Sequence, residues 1–310
     1  MTSFGFSVLP AGAKKAPKAS APLSADEFHG TRKSVSTRQG RIACVERGQG
    51  PAALFLHGFP LNSFQWRGVL PLLATHRRCI APDYLGLGFT ETAEGQSVAL
   101  GEQAAMLIAL LDQLSIRSVD IVANDSGGAI AQLLMVDHPH RVRTVLLTNC
   151  DAEPDSPPAS MLPLIELAKR GAFAEKILGP WLADKDLARS AKGLGGLCYG
   201  DPAHPTDEAL DYYLQPLLAS PARKKLTDEY VVALEKNPLE GIAGALKKSK
   251  IPARILWGTA DTIFSQDSAD YLDRTVGHSL GVRRMEGAKL FFPEEMPELI
   301  AEEARLLWKV

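Results

Sequence analysis

The feature that most constrains this chain is a rhythm of short apolar runs, each halted by a turn and followed by a helix-like stretch. "AALFLHG" (Ala52 to Gly58), "RRCIAPDYLG", "SVDIVAND" and "RVRTVLLTN" are apolar through their centres, as strands covered on both faces are. "GRIACVERG" alternates instead and reads as an edge-type strand. Residues 97–115 set Leu100, Ala104, Leu107, Leu111 and Leu114 on one helical stripe, with Ser97 as the expected N-cap. "SGGAIAQLLMVDHP" makes a second helix, ended near Pro139. Strand and helix alternate through short links, so the expected fold is α/β: a mostly parallel eight-stranded sheet flanked by helices.

The rhythm stops at residue 152. From 152 to 248 the sequence offers helix-like pieces and no buried strand, "PLIELAKRGAFAEKILG" and "TDEALDYYLQPLLAS" among them. It resumes with "ARILWG", "GVRRMEG" and a closing helix around Glu294 to Lys309. The simplest organisation is a core of residues 31–151 and 249–310 with a helical lid, 152–248, inserted between two strands. Residues 1–30, rich in Ala, Pro, Lys and Ser, read as a flexible tail without the basic start and long apolar core of a secretory signal.

A net charge of −2 gives no electrostatic reason to expect nucleic acid or an anionic membrane as partner. No apolar run approaches the roughly 20 residues that span a bilayer. Cys44, Cys79, Cys150 and Cys198 are scattered without metal-ligand spacing. They are expected to be free thiols in a reducing, cytoplasmic compartment, with no metal or organic cofactor. Nothing in the sequence sets the oligomeric state.

The informative junction is "VANDSGGAIAQ", where a buried strand enters a helix through small residues. A nucleophile there is exposed on a tight turn at the sheet's C-terminal edge, beside the free N–H groups of the helix start. The pattern small-x-nucleophile-x-Gly fits in two phases, one making Asp125 the nucleophile and the other Ser126. The first puts small Ala123 at the crowded position and is preferred. The competing reading of Asp125 is a simple helix N-cap.

Taken together, these segments resemble the α/β-hydrolase superfamily, and within it the aspartate-nucleophile branch of epoxide hydrolases and haloalkane or haloacetate dehalogenases. The resemblance runs from about Gly40 to the C-terminus and is weakest across the lid. "LFLHGFPLNSFQWRGVLPLLA" is similar to the oxyanion-loop segment, "APDYLGLGFT" to the next strand and turn, "VANDSGGAIAQLL" to the nucleophile elbow, and "ARILWGTADTIF" to the strand that delivers the acid. It implies that Asp125 attacks carbon to give a covalent alkyl ester, and that the N–H groups of Phe59 and Ser126 form the oxyanion hole. It further implies that Asp261 orients a histidine that activates water.

That histidine is expected after the last strand, in a Gly-His-Phe context followed by acidic residues. "EGAKLFFPEE" occupies the frame at the family's usual distance from Asp261, with Lys289 for the glycine and Leu290 for the histidine. His29, His57, His76, His138, His140, His204 and His278 all stand elsewhere in the pattern. Alkylation of Asp125 is therefore allowed, and hydrolysis of the ester is expected to be impaired. Ser126 also stands where haloalkane dehalogenases place a halide-binding tryptophan. Epoxide hydrolases use lid tyrosines to protonate the opening oxygen, a role that falls to Tyr212 or Tyr213. His57 and Asn124 are expected to help line the pocket. The implied substrate is a small apolar electrophile, epoxide ahead of alkyl halide. The alternatives are a ligand-binding protein that has discarded hydrolysis and a lyase or cyclase that uses Asp125 directly.

Overall fold

The structure, a computed structural model, describes residues 22–310. Its centre is an eight-stranded sheet: β1 Arg32–Thr37, β2 Gly40–Arg47, β3 Ala52–Leu56, β4 Arg78–Pro82, β5 Val119–Asp125, β6 Val142–Cys150, β7 Ala253–Gly258 and β8 Ser279–Met285. The spatial order is β1-β2-β4-β3-β5-β6-β7-β8. β2 runs antiparallel to both neighbours, β1 and β4, and every pairing from β4 to β8 is parallel. Every residue of β3 and β5 is buried, which is why those strands read as continuous apolar runs.

Helices Leu100–Gln113, Ser126–Asp137, Gln266–Thr275 and Pro297–Trp308 flank the sheet. Between Cys150 and Ala253 the chain forms helices, turns and irregular segments, with Asp207–Leu218 and Pro221–Ala233 as the longest helices. Among the described residues no helix is long and apolar enough to cross a membrane. The four cysteines are buried and free.

Three local expectations need correction. "GRIACVERG" forms β2, which is an inner strand; the edge belongs to β1, "RKSVST". β1 has one apolar residue among polar ones and no buried face, so apolar periodicity could not reveal it. Ser97 does not cap its helix. The helix begins at Leu100 after Ala99, and Ser97 Oγ instead accepts the Ala99 N–H (3.3 Å) in the preceding turn.

The third correction concerns the tail. Residues 1–21 lie outside the described residues, but Ala25–Gly30 is a helix. Ser24 and Glu27 form a reciprocal capping box at its start, and Phe28 is fully buried against the Phe64 ring (centroids 5.2 Å). A cap and an aromatic anchor are enough to order a short segment that composition alone assigns to a tail.

Candidate active site

Parallel pairing brings the C-terminal ends of β3, β5, β6, β7 and β8 to one edge of the sheet. From that edge emerge His57-Gly58-Phe59 after β3, Asp125 at the end of β5, Asp151 after β6, Asp261 after β7 and Leu290 after β8.

Asp125 is the turn residue. Its backbone holds φ 56° and ψ −132°, a left-handed conformation that a non-glycine residue adopts only under constraint, while Ser126 already begins the helix. The close approach around it demands glycine. A Cβ on Gly127 would lie 2.5 Å from Leu56 O, and one on Gly58 would lie 2.5 Å from Asp125 Cβ. The backbone N–H groups of Phe59 (3.1 Å) and Ser126 (2.5 Å) both donate to Asp125 Oδ1. Burial pushes the Asp125 carboxyl up, and those two N–H groups pull it partly back.

Behind the turn a chain of amides locks three loops together. The Gly58 N–H donates to Gln65 Oε1 (3.1 Å), Gln65 Nε2 to Asn124 Oδ1 (2.7 Å), and Asn124 Nδ2 to Leu290 O (2.9 Å). Asn124, expected at the pocket, is fully buried with its side-chain amide committed to this brace. His57 is also fully buried, stacked on Tyr84 (centroids 4.0 Å), with Nδ1 bonded to Gly58 O (2.9 Å). Burial drives its pKa down to about 4, so the ring is neutral near pH 7 and Nδ1–H donates to the carbonyl.

Asp261 is engaged on both oxygens. Asn149 Nδ2 donates to Oδ2 (2.6 Å) and the Ile263 N–H to Oδ1 (2.9 Å), while burial lifts the pKa to about 6. The loop carrying Leu290 lies against the turn carrying Asp261, through the Ala260 N–H bonded to Ala288 O (3.0 Å). Leu290 is buried, and neither hydrogen-bond partner of Asp261 is a histidine. Cys198, from the helical insert, accepts the Phe291 N–H on its carbonyl (2.8 Å). Its thiol is pushed well up by burial and then by the charges of Asp261 and Asp125.

The structure does not bring Tyr212 and Tyr213 to Asp125. Helix Asp207–Leu218 turns Tyr212 toward Phe28, Phe64 and Phe89, where its hydroxyl meets Arg32 (3.5 Å). Tyr213 points inward and donates to Glu294 Oε2 (2.9 Å), while Arg67 donates to its hydroxyl (3.0 Å). Two tyrosines that sequence reasoning missed stand at the site instead. Tyr84, two residues beyond β4, and Tyr230, on helix Pro221–Ala233, are fully buried, and among the described residues neither hydroxyl has a partner in hydrogen-bond geometry, although the Ser126 side chain draws the Tyr230 phenol partly back down. Tyr230 stacks on Phe59 (centroids 5.3 Å). Burial first, and the Asp125 charge among the lesser causes, holds both phenols well above their usual range. The sequence carried a signal only for Tyr84, an aromatic at the carboxyl end of a buried strand.

The arrangement offers a carboxyl group with one oxygen held by two backbone amides and, among the described residues, no hydrogen bond to the other. Among the described residues no group of three His, Cys, Asp or Glu side chains is placed to hold a metal ion.

Residues 51–295 match the alpha/beta hydrolase fold family. The chain is 28% identical over 274 residues to haloalkane dehalogenase 2 of Mycobacterium tuberculosis, covering 85% of this chain and 90% of that one. It is 25% identical over 267 residues to bifunctional epoxide hydrolase 2 of Sus scrofa, covering 77% of this chain but 48% of that protein. An alpha/beta hydrolase fold protein from Burkholderia ambifaria, of known structure, superposes with a TM-score of 0.75 at 23% identity, over 87% of this chain and 96% of that one.

Proposed function

As the chain belongs to the α/β-hydrolase fold family, we propose that it is a hydrolase in which Asp125 displaces a leaving group from carbon in a small, largely apolar electrophile. The observation that carries this reading is the Asp125 carboxylate itself. It sits on the strained turn with Oδ1 held by the Phe59 and Ser126 N–H groups, so Oδ2 is the oxygen that attacks. In an epoxide the carbon–oxygen bond opens as the Asp125 ester forms, and the departing oxygen takes a proton. Tyr230 or Tyr84 donates it, since both hydroxyls are otherwise unpartnered. Residues 152–248 act as a lid that supplies Tyr230 and Cys198 to the enclosed site.

Epoxide is favoured over alkyl halide on two grounds. The free phenols suit an oxygen that needs a proton, and Ser126 follows the nucleophile where a halide would be held by an indole. Hydrolysis of the ester then takes water at Asp125 Cγ, with the oxyanion that develops at Oδ1 held by the same two N–H groups. Leu290 offers no imidazole for that step, and general-base assistance is worth about 10²–10⁴-fold, so the second half-reaction is the slow one. The same leucine favours a second reading, a member of the family that binds such molecules without hydrolysing them.

The test is intact-mass analysis after incubation with a panel of epoxides and alkyl halides. The protein should gain the mass of one substrate, and Asp125→Ala should gain none. Saturable binding with neither adduct nor product would favour the second reading. Product without adduct, lost in Asp125→Ala, would favour direct acid–base chemistry.

A further inference from the structure

Three carboxyl groups leave the same sheet edge, and the chemistry above uses only one of them. Asp125 is the nucleophile. Asp261 has a donor on each oxygen. Asp151 remains. In the pairing of β5 with β6, Asp125 stands opposite Cys150, so Asp151 is the next residue out from the sheet beside the turn. Its backbone is pinned by Gln132 Nε2, on the elbow helix, donating to Asp151 O (2.8 Å). Ser156 Oγ donates to its Oδ1 (2.8 Å), and among the described residues no side-chain donor reaches Oδ2. The side chain is buried, at 6% exposure.

We propose that Asp151 is the general base of the hydrolysis half-reaction, taking the role that the imidazole missing at Leu290 would fill. The inference rests on the covalent Asp125 reading. Asp151 Oδ2 takes a proton from water as the water oxygen bonds to Asp125 Cγ, and the resulting oxyanion is held by the Phe59 and Ser126 N–H groups. Collapse breaks the Cγ–Oδ2 bond, and Oδ2 leaves with the substrate and receives the proton back from Asp151. The hydroxyl proton left on Asp125 passes to the tyrosinate that protonated the epoxide oxygen, so both carboxylates and the phenol are restored and a diol leaves.

The electrostatics of the pair give this step its timing. The groups facing Asp151 are Asp125 from the elbow, Asp155 from the turn Glu153–Asp155, the Cys150 thiol before it, and the Tyr230 hydroxyl and Ser156. Burial, and next the Asp125 charge, lift Asp151 to about 7. Esterification removes the Asp125 charge, so Asp151 ionises more readily at the stage when a base is required.

The experiment forms the adduct with excess epoxide, removes the excess, and follows adduct decay by mass spectrometry from pH 5 to 9. Decay in the original protein should quicken with pH to a plateau. Asp151→Asn should still form the adduct but lose it about 10²-fold more slowly, with a flat pH profile. Ser156→Ala should move the midpoint of the profile upward, since it removes a hydrogen bond that favours the carboxylate. Equal decay and equal pH dependence in Asp151→Asn would overturn the role of Asp151 while leaving the covalent reading standing. No adduct in any variant would overturn both. If Asp151→Asn fails to fold, an unmoved midpoint in Ser156→Ala overturns the inference on its own.

Discussion

Glu294 and Asp125 are both buried carboxyl groups, yet their surroundings differ in kind. Glu294 lies 2.6 Å from Arg67 Nη1 and accepts from the hydroxyls of Tyr199 (3.0 Å) and Tyr213 (2.9 Å). Burial works against the Arg67 charge, but Glu294 and, behind it, Tyr213 and Tyr199 together outweigh it and hold the guanidinium firmly protonated. This cluster ties the core residues Arg67 and Glu294 to tyrosines of the helical insert. At the sheet edge, by contrast, Asp125, Asp151 and Asp261 have amide or hydroxyl donors and, among the described residues, no ion pair, and burial raises all three. Lys289, the nearest cation in sequence to Leu290, donates to Gly196 O (2.6 Å) instead. The first cluster neutralises its charge and holds the insert to the core. The second has no such cation, so ionising its carboxyl groups costs stability.

The largest expected effect breaks the compensated cluster. Arg67→Met leaves Glu294 buried without a cation and should lower stability by about 3–5 kcal/mol in denaturant titration, with Glu294→Gln in the same chain recovering much of it. If the single variant is as stable as the original, the cluster is not the clamp described. The next adds a partner to the uncompensated side. Leu290→His should speed ester hydrolysis by roughly 10²-fold, the lower end of general-base assistance because Asp151 already acts, as read from steady-state product release.

A pair of tyrosine changes sharpens the contrast. Tyr230→Phe removes a hydroxyl with no partner, so it should leave stability nearly unchanged and slow epoxide alkylation by about 10–100-fold. Tyr213→Phe should do the reverse, costing about 1–2 kcal/mol and leaving alkylation alone. The smallest effect is a slope. Asp151 at about 7 and Asp261 at about 6 bind protons more tightly folded than unfolded, where an aspartate titrates near 3.9. Their contribution to stability is therefore full below about pH 4 and lost as the pH rises to about 7. Asp151→Asn should remove much of that decline from melting curves recorded across this range.

The parts legible in the sequence were those written locally. Continuous apolar runs marked β3 to β7, and the strand–turn–helix junction located Asp125, because burial on both faces and a crowded turn each restrict residue type in place. The capping box of Ser24 and Glu27 was equally local and available, but the surrounding composition masked it. β1 was illegible because a polar edge strand satisfies its backbone without burying a face. The brace from Gln65 through Asn124 to Leu290, and the capping of Asp261 by Asn149, join residues far apart in the chain, and no spacing rule connects them. The tyrosines failed for a related reason. Helical spacing fixes which side chains share a face but not what that face meets, and packing turns Tyr212 to Phe64 and Phe89 and Tyr213 to Glu294. Asp151 was visible as the first acid after a buried strand, and only the neighbouring strand's register gives it meaning.

The central claim is that catalysis passes through an ester on Asp125, and the oxygen atoms report it directly. A single turnover with limiting epoxide in ¹⁸O-water, followed by peptide mapping, should place the heavy oxygen in the peptide containing Asp125, while the product carries an unlabelled oxygen taken from the protein. Heavy oxygen in the product with none in that peptide would mean that water attacked the substrate itself, and the covalent account would be contradicted.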